Sequence, residues 1–335
     1  MKPLKLDVVG CGAVTQQYHI PVIRSLQKNA RLLVRGCFDL NINSAKQAAR
    51  TLSAKDFGLL NDQTNFDGVD CALIATPPDS HVNLANIYLR SRKHVLIEKP
   101  IAISLSELNE LITLGNANNV RVLSGHFRRF YPSVNISRLF ILSGGLGRIH
   151  KVEVTEGNRW SWPASSSYAV KSRAGGVILD TGSHLLDMLI FVLGLDEPQN
   201  CRSFSLKSLI KKPKQEPSHH CSAIFVLNTE KHGEISVRIE ISRLQPLACG
   251  LKIYGEHGIL LIPTSFANKP LLCVGNKYFR LNGAITHPEP NGAMGCFMME
   301  YEELLNAAQE VGYKSTLEAT NFTLLTSILE CLVNS

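Results

Sequence analysis

Short apolar runs alternate with stretches of helical period over residues 4 to 126. The runs are Leu4–Val9, Leu32–Phe38, Cys71–Ala75, His94–Ile97 and Val120–Leu123. This alternation predicts a parallel sheet with crossover helices. The runs are followed in turn by Gly10-Cys11-Gly12, Asp39, Thr76-Pro77-Pro78, Glu98-Lys99-Pro100 and Gly125-His126. In an open parallel sheet ligands bind beyond the carboxyl ends of the strands. All five ends carry glycine, polar or proline-fixed chemistry.

The period changes beyond about residue 130. Gly147–Thr155 reads as a strand, and strand-like alternation dominates from 201 to 281. In Glu234–Ile241 every odd position is apolar and every even one polar, as expected of a strand with one covered face. Helices are expected near 131–143, 177–193, 296–310 and 316–333. The predicted fold class is α/β: a doubly wound parallel sheet over 1–126, then an α+β domain over 127–335 with a large, mostly antiparallel open sheet.

One apolar segment carries charge. From Val177 to Leu193 nearly every residue is apolar, yet Asp180, His184 and Asp187 lie within it. Their i, i+4, i+7 spacing puts all three on one helical face. Burying ionisable groups costs on the order of several kcal/mol each unless they are paired or used. The stripe is either a buried structural network or the wall of an active site.

Composition narrows the field. A chain of 335 residues fits two domains. With 44% hydrophobic and 19% charged residues, it is an ordinary globular chain. The net charge of +7 is modest, and its densest basic run (Lys207, Lys211, Lys212, Lys214) reads as a solvated loop without interleaved aromatics. Nucleic-acid binding is therefore not expected. The nine cysteines are scattered, without a Cys-x-x-Cys pair, and Cys11, Cys37 and Cys71 fall in apolar runs. They read as buried thiols of a reducing compartment. His219-His220-Cys221 lacks a partner cluster and reads as a strand start, so no metal is expected. With no signal peptide and no apolar stretch of about 18 residues, the expectation is a soluble, cytoplasmic protein that does not engage membranes.

Gly10-x-Gly12-x-x-Thr15 closes the first strand and opens a helical pattern. Its glycines permit a tight turn and close approach of a pyrophosphate at a helix N-terminus. Gly10, Gly12, Ala13, Val14 and Thr15 are the expected contacts, with Thr15 standing where a third glycine or alanine is usual. Asp39, ending the second strand, can accept both ribose hydroxyls and repel a 2′-phosphate, which favours NAD. Nearby Lys46 and Arg50 keep NADP open. Lys99, at the end of a central strand, can hydrogen-bond a substrate hydroxyl as charge develops on it.

Together, Gly10-x-Gly12, Thr76-Pro77-Pro78-x-x-His81, Glu98-Lys99-Pro100 and Gly175-Gly176…Asp180-x-Gly182-x-His184-x-x-Asp187 resemble the glucose–fructose oxidoreductase / inositol dehydrogenase (Gfo/Idh/MocA) family. The match runs over essentially the whole chain in order. It implies an N-terminal Rossmann domain, a C-terminal α/β domain with a large open sheet, and NAD(P)-dependent hydride transfer on sugars, cyclitols or related polyols. Lys99, Asp180 and His184 fall on the family's catalytic lysine, aspartate and histidine, and Asp187 on a substrate-contacting acid. Arg128, in His126-Phe127-Arg128-Arg129-Phe130, falls where members reach toward substrate or cofactor. Thr76, Pro77, His81 and Glu98 complete the expected cofactor set.

Trp160 and Trp162, in a loop over 157–173 that aligns with nothing, either wall a sugar ring or anchor the loop. The implied function is interconversion of a secondary alcohol and a ketone on a polyol. One alternative is an NAD-retaining epimerase or redox-assisted glycosidase at the same site, and another is a non-enzymatic cofactor-sensing regulator. The resemblance also implies a homodimer or homotetramer formed through the open sheet.

Overall fold

The computed structural model describes residues 2–60, 64–159, 175–214, 217–282 and 292–335. The chain forms two compact units. The first holds the N-terminal residues through His126 together with Phe297–Ala319, and the second holds Phe127 onward, including Thr320–Ser335. The segment 297–319 packs with the first unit.

In the first unit, strands β1 (Leu4–Val9), β2 (Leu32–Phe38), β3 (Asp56–Gly58), β4 (Cys71–Ile74), β5 (His94–Glu98) and β6 (Val122–Gly125) form a six-stranded sheet in the order β3-β2-β1-β4-β5-β6. Every pairing is parallel. Strand order reverses at β1, the switch point where this architecture binds ligands. The helices are α1 (Ile20–Lys28), α2 (Ile42–Leu52), α3 (His81–Arg90) and α4 (Leu105–Asn118). Ser104 starts α4 by accepting the Glu107 N–H at 3.2 Å, while the Glu107 carboxylate accepts the Ile103 N–H at 2.9 Å. This reciprocal cap satisfies donors the helix itself cannot. β3 has no apolar run, and at three exposed or half-buried residues it lacks the signal that marks the others.

The second unit is built on an eight-stranded sheet. Its strands are β7 (Ile149–Gly157), β8 (Cys201–Lys212), β9 (His220–Thr229), β10 (Gly233–Ser242), β11 (Leu247–Gly255), β12 (Gly258–Pro263), β13 (Leu271–Val274) and β14 (Lys277–Arg280). The order is β14-β13-β12-β11-β7-β10-β9-β8. Only β7 and β10 pair in parallel. In β10 the apolar set Ile235, Val237, Ile239 and Ile241 is buried. The helix α6 (Ser183–Val192) packs against β7, and α5 (Pro132–Leu142) packs against α6.

The opposite face is mixed. Register places Arg238, Glu153, Lys252, Leu261, Leu271 and Arg280 in one cross-strand row. Helix α7 (Gly292–Gln309) and the terminal α8 (Thr323–Asn334) complete the chain. Among the described residues no helix is long and apolar enough to cross a membrane.

Candidate active site

In the first unit the chain leaves β1 through Gly10, at φ +91°, where an added Cβ would lie 2.3 Å from the Ala75 carbonyl oxygen. Only glycine fits there. Beside Gly12 nothing lies within 4 Å of an added Cβ, so that side of the turn is open. Ala13 and Val14 follow, half-buried, and Val14 provides no side-chain cap to the helical turn it begins. Thr15 is buried, and its hydroxyl donates to the Gly10 carbonyl at 2.6 Å. The threonine therefore fastens the turn from inside.

Asp39 stands beside this turn. Its Oδ2 accepts the Cys11 N–H at 2.7 Å and its Oδ1 accepts the Asn41 N–H at 2.7 Å. A carboxylate offers about four lone-pair sites, so both oxygens keep capacity for ribose hydroxyls. The open side at Gly12 and the fixed carboxylate fit a dinucleotide. Asn41 caps α2 by accepting the Asn43 and Ser44 N–H groups. Lys46 and Arg50 lie exposed on α2.

The strand ends beyond β4 and β5 hold the rest of this cluster. Thr76 is half-buried, its hydroxyl accepting from Ser80 Oγ at 2.8 Å, and Pro77 is exposed. His81 is fully buried, with Nδ1 2.9 Å from the Pro100 carbonyl and Nε2 2.7 Å from the Thr76 carbonyl. Burial pushes its imidazole below the usual range. It ties the two loops together through these carbonyls.

Glu98 likewise turns inward, its oxygens engaged by His19 and by the Lys99 N–H. Burial pushes its carboxyl up, but the His19 contact and the Lys99 charge outweigh this and hold it below the usual carboxylate range. Lys99 follows, half-buried, at the end of β5.

The second unit holds the charged stripe. The expected single helix divides: Ile178–Gly182 is a wider π-turn, and α6 begins at Ser183. The three polar side chains meet different surroundings. Asp180 Oδ2 accepts Arg243 Nη2 at 2.6 Å, and Arg243 Nη1 also donates to the Gly175 carbonyl at 2.7 Å. His184, 7% exposed, lies edge-on to Phe127 at 5.2 Å between ring centroids.

Asp187 is sealed. Arg129 Nε donates to both of its oxygens at 3.0 Å and Nη2 donates to Oδ1 at 2.5 Å. The Arg129 guanidinium lies over the Phe191 and Phe322 rings at 4.8 and 4.2 Å. Burial pushes the Asp187 carboxyl up while Arg129 draws it back. At 1% exposed, Asp187 is held by Arg129 and buried away from solvent.

Arg128 donates to both oxygens of Glu156 at 2.7 and 3.0 Å. Ile241 of β10 pairs with Glu156 and Ser242 with Gly157, so Glu156 and Arg243 occupy the same end of the two parallel strands. Trp160 and Trp162 lie outside the described residues, as does most of the 157–173 loop. Sequence reading missed Arg243, Glu156, Arg129 and His19. Arg243 had one signal: it follows the residue at which the β10 alternation stops. Among the described residues no group of three or more His, Cys, Asp or Glu side chains could hold a metal ion.

Two family models match this chain. One, described as the oxidoreductase family with an NAD-binding Rossmann fold, covers residues 4–126; the other, the GFO/IDH/MocA C-terminal domain, covers 134–261. The chain belongs to the Gfo/Idh/MocA family. Residues 4–126 are its NAD-binding Rossmann domain.

Among relatives, glucose-6-phosphate 3-dehydrogenase of Bacillus subtilis (strain 168) is 27% identical over 199 residues, 57% of this chain and 54% of that protein. The rhizopine catabolism protein MocA of Rhizobium meliloti is 26% identical over 260 residues, 77% of this chain and 78% of that protein. The chain spans about half the length of the first curated relatives it matches. KijD10, a 3-ketoreductase from Actinomadura kijaniata solved with NADP and TDP-benzene, superposes with a TM-score of 0.79 at 15% identity. That match covers 99% of this chain and 97% of KijD10, and it bears on the fold of this Gfo/Idh/MocA member alone.

Proposed function

We propose that this protein is an NAD-dependent dehydrogenase or reductase that interconverts a secondary alcohol and a ketone on an uncharged polyol, a sugar or a cyclitol. The observation that carries this reading is the graded burial along the charged stripe. Asp187 is sealed in an ion pair, whereas Asp180 keeps 25% of its side chain exposed one turn ahead of His184. A purely structural network has no need of that opening.

Bound NAD supplies the hydride acceptor. His184 takes the hydroxyl proton, a task suited to an imidazole, whose ring nitrogen can accept it. Lys99 supplies a hydrogen-bond donor that stabilises charge developing on a substrate oxygen. Asp180, oriented by Arg243, accepts from a neighbouring hydroxyl and fixes the ring. Arg128 and Arg243 are each matched by a carboxylate, which supports a neutral substrate over a phosphorylated one. Incubating the protein with NAD and a panel of sugars, sugar phosphates and cyclitols tests this: NADH should form with a neutral polyol, and formation with phosphorylated sugars alone would refute the substrate class.

The cofactor choice has its own test. NAD should bind at least about tenfold tighter than NADP, equal to roughly 1.4 kcal/mol, because Asp39 would face a 2′-phosphate. Calorimetry with both nucleotides decides it. Equal affinities would mean that Lys46 or Arg50 offsets the carboxylate.

Assembly follows from the open face of the large sheet. Ile210, Ile224 and Tyr278 are exposed on it, among alternating charges such as the Arg238–Glu153–Lys252 row. A mixed patch with both signs can meet a copy of itself across a two-fold axis. The protein should be a symmetric oligomer in solution, and a monomer by light scattering at micromolar concentration would refute this.

A further inference from the structure

A buried hydrogen-bond chain in the first unit ends at the lysine motif. Tyr301 Oη lies 3.1 Å from His19 Nδ1, and His19 Nε2 lies 2.9 Å from Glu98 Oε1. Glu98 Oε2 accepts the Lys99 N–H at 3.0 Å. His19 and Tyr301 are fully buried, and Phe297 stands edge-on to the imidazole at 5.0 Å.

The donors and acceptors are compatible along this path. A carboxylate only accepts, so Nε2 carries its hydrogen toward Glu98, and Nδ1 shares a hydrogen with the Tyr301 hydroxyl, which can donate or accept. Every polar atom along this path is then satisfied. Removing one member leaves a buried neighbour unpaired, which is the costly case for a hydrogen bond.

His19 has a second attachment. It ends the five-residue π-turn Thr15–His19, whose first residue donates to the Gly10 carbonyl. Such wide turns occur mostly as single insertions at functional sites. One turn therefore holds the dinucleotide-binding glycine loop at its start and the strand end that presents Lys99 at its finish.

We propose that His19, held by Tyr301, is a positioning residue that couples the seating of the dinucleotide at Gly10–Thr15 to the placement of Lys99. This rests on the reading of Lys99 as a residue of the active site. A dinucleotide settling on the glycine turn moves the π-turn, the His19–Glu98 bond carries the movement, and the Lys99 peptide follows. The coupling needs no contact between His19 and either ligand.

The test uses the full chain with its lysines reductively methylated with a carbon-13 label. The Lys99 resonance is assigned by its loss in Lys99→Arg. Adding NAD to the wild-type protein should displace this resonance. In His19→Gln the displacement should disappear and NAD should bind about tenfold more weakly by calorimetry. Tyr301→Phe, which removes one hydroxyl and keeps the ring packing, should diminish the displacement with the fold intact, and covers the case in which His19→Gln fails to fold.

Folded variants with wild-type NAD affinity and a wild-type Lys99 displacement would overturn the proposal. NAD binding to the wild type without movement of the Lys99 signal would overturn the coupling and leave the proposed reaction standing. Absence of NAD binding would overturn both.

Discussion

Replacing His184 with alanine should lower turnover by about 10²- to 10⁴-fold, the usual worth of a positioned general base, while NAD affinity stays nearly unchanged. The proposed cofactor contacts lie on the glycine turn and Asp39 in the first unit, whereas His184 sits at the start of α6 in the second. The pH profile of wild-type turnover should carry a limb from this base, and His184→Ala should lack it. Steady-state rates across pH, with calorimetry for NAD, check both halves. Wild-type turnover in the variant would make the Asp180–His184 stripe structural and pass the proton to another group, Lys99 first.

The second large effect is on stability. Arg129→Met should destabilise the second unit by about 3–5 kcal/mol, because it leaves the Asp187 carboxylate buried without its partner. Arg129 gives Asp187 three hydrogen bonds, and Asp196 stands 3.6 Å away on the other side of the guanidinium. Methionine fills similar space between Phe191 and Phe322, so lost packing contributes little and the unpaired charge dominates. The double variant Arg129→Met, Asp187→Leu should recover much of the loss, since replacing both members of a buried pair with apolar groups is often neutral. Urea unfolding of the wild type and the two variants measures it. A single variant as stable as wild type would show that the pair carries no such penalty.

Much of the first unit was legible because each of its longer strands is a short, mostly apolar segment ending in a different chemical signal. Asp39 and the Gly10–Gly12 turn were readable from strand position alone. The residues that face inward were not. His81 and Glu98 are examples: sequence cannot tell which way a side chain turns at a loop, and the contacts of His81 to two loop carbonyls and of Glu98 to His19 join segments far apart in the chain.

In the second unit the i, i+4, i+7 spacing located the charged segment and misjudged its geometry. The π-turn at Ile178–Gly182 adds width that a 3.6-residue period does not anticipate. Asp187 then falls to Arg129, a partner 58 positions away. Arg243 and Glu156 meet the site through strand register, a long-range property that alternation does not encode. His19 was a single histidine on an amphipathic helix, the least informative of signals without its two neighbours.

The central claim is that Lys99 and His184 serve one alcohol-oxidising reaction with NAD. Its most direct test is NADH formation from the best neutral polyol of the panel, with the wild-type protein, Lys99→Ala and His184→Ala measured side by side at saturating NAD. The account predicts steady NADH formation in the wild type and a fall of about 10²-fold or more in His184→Ala, with a clear loss in Lys99→Ala as well. A wild-type protein that binds NAD yet oxidises no polyol, or two variants that both keep the wild-type rate, would contradict it.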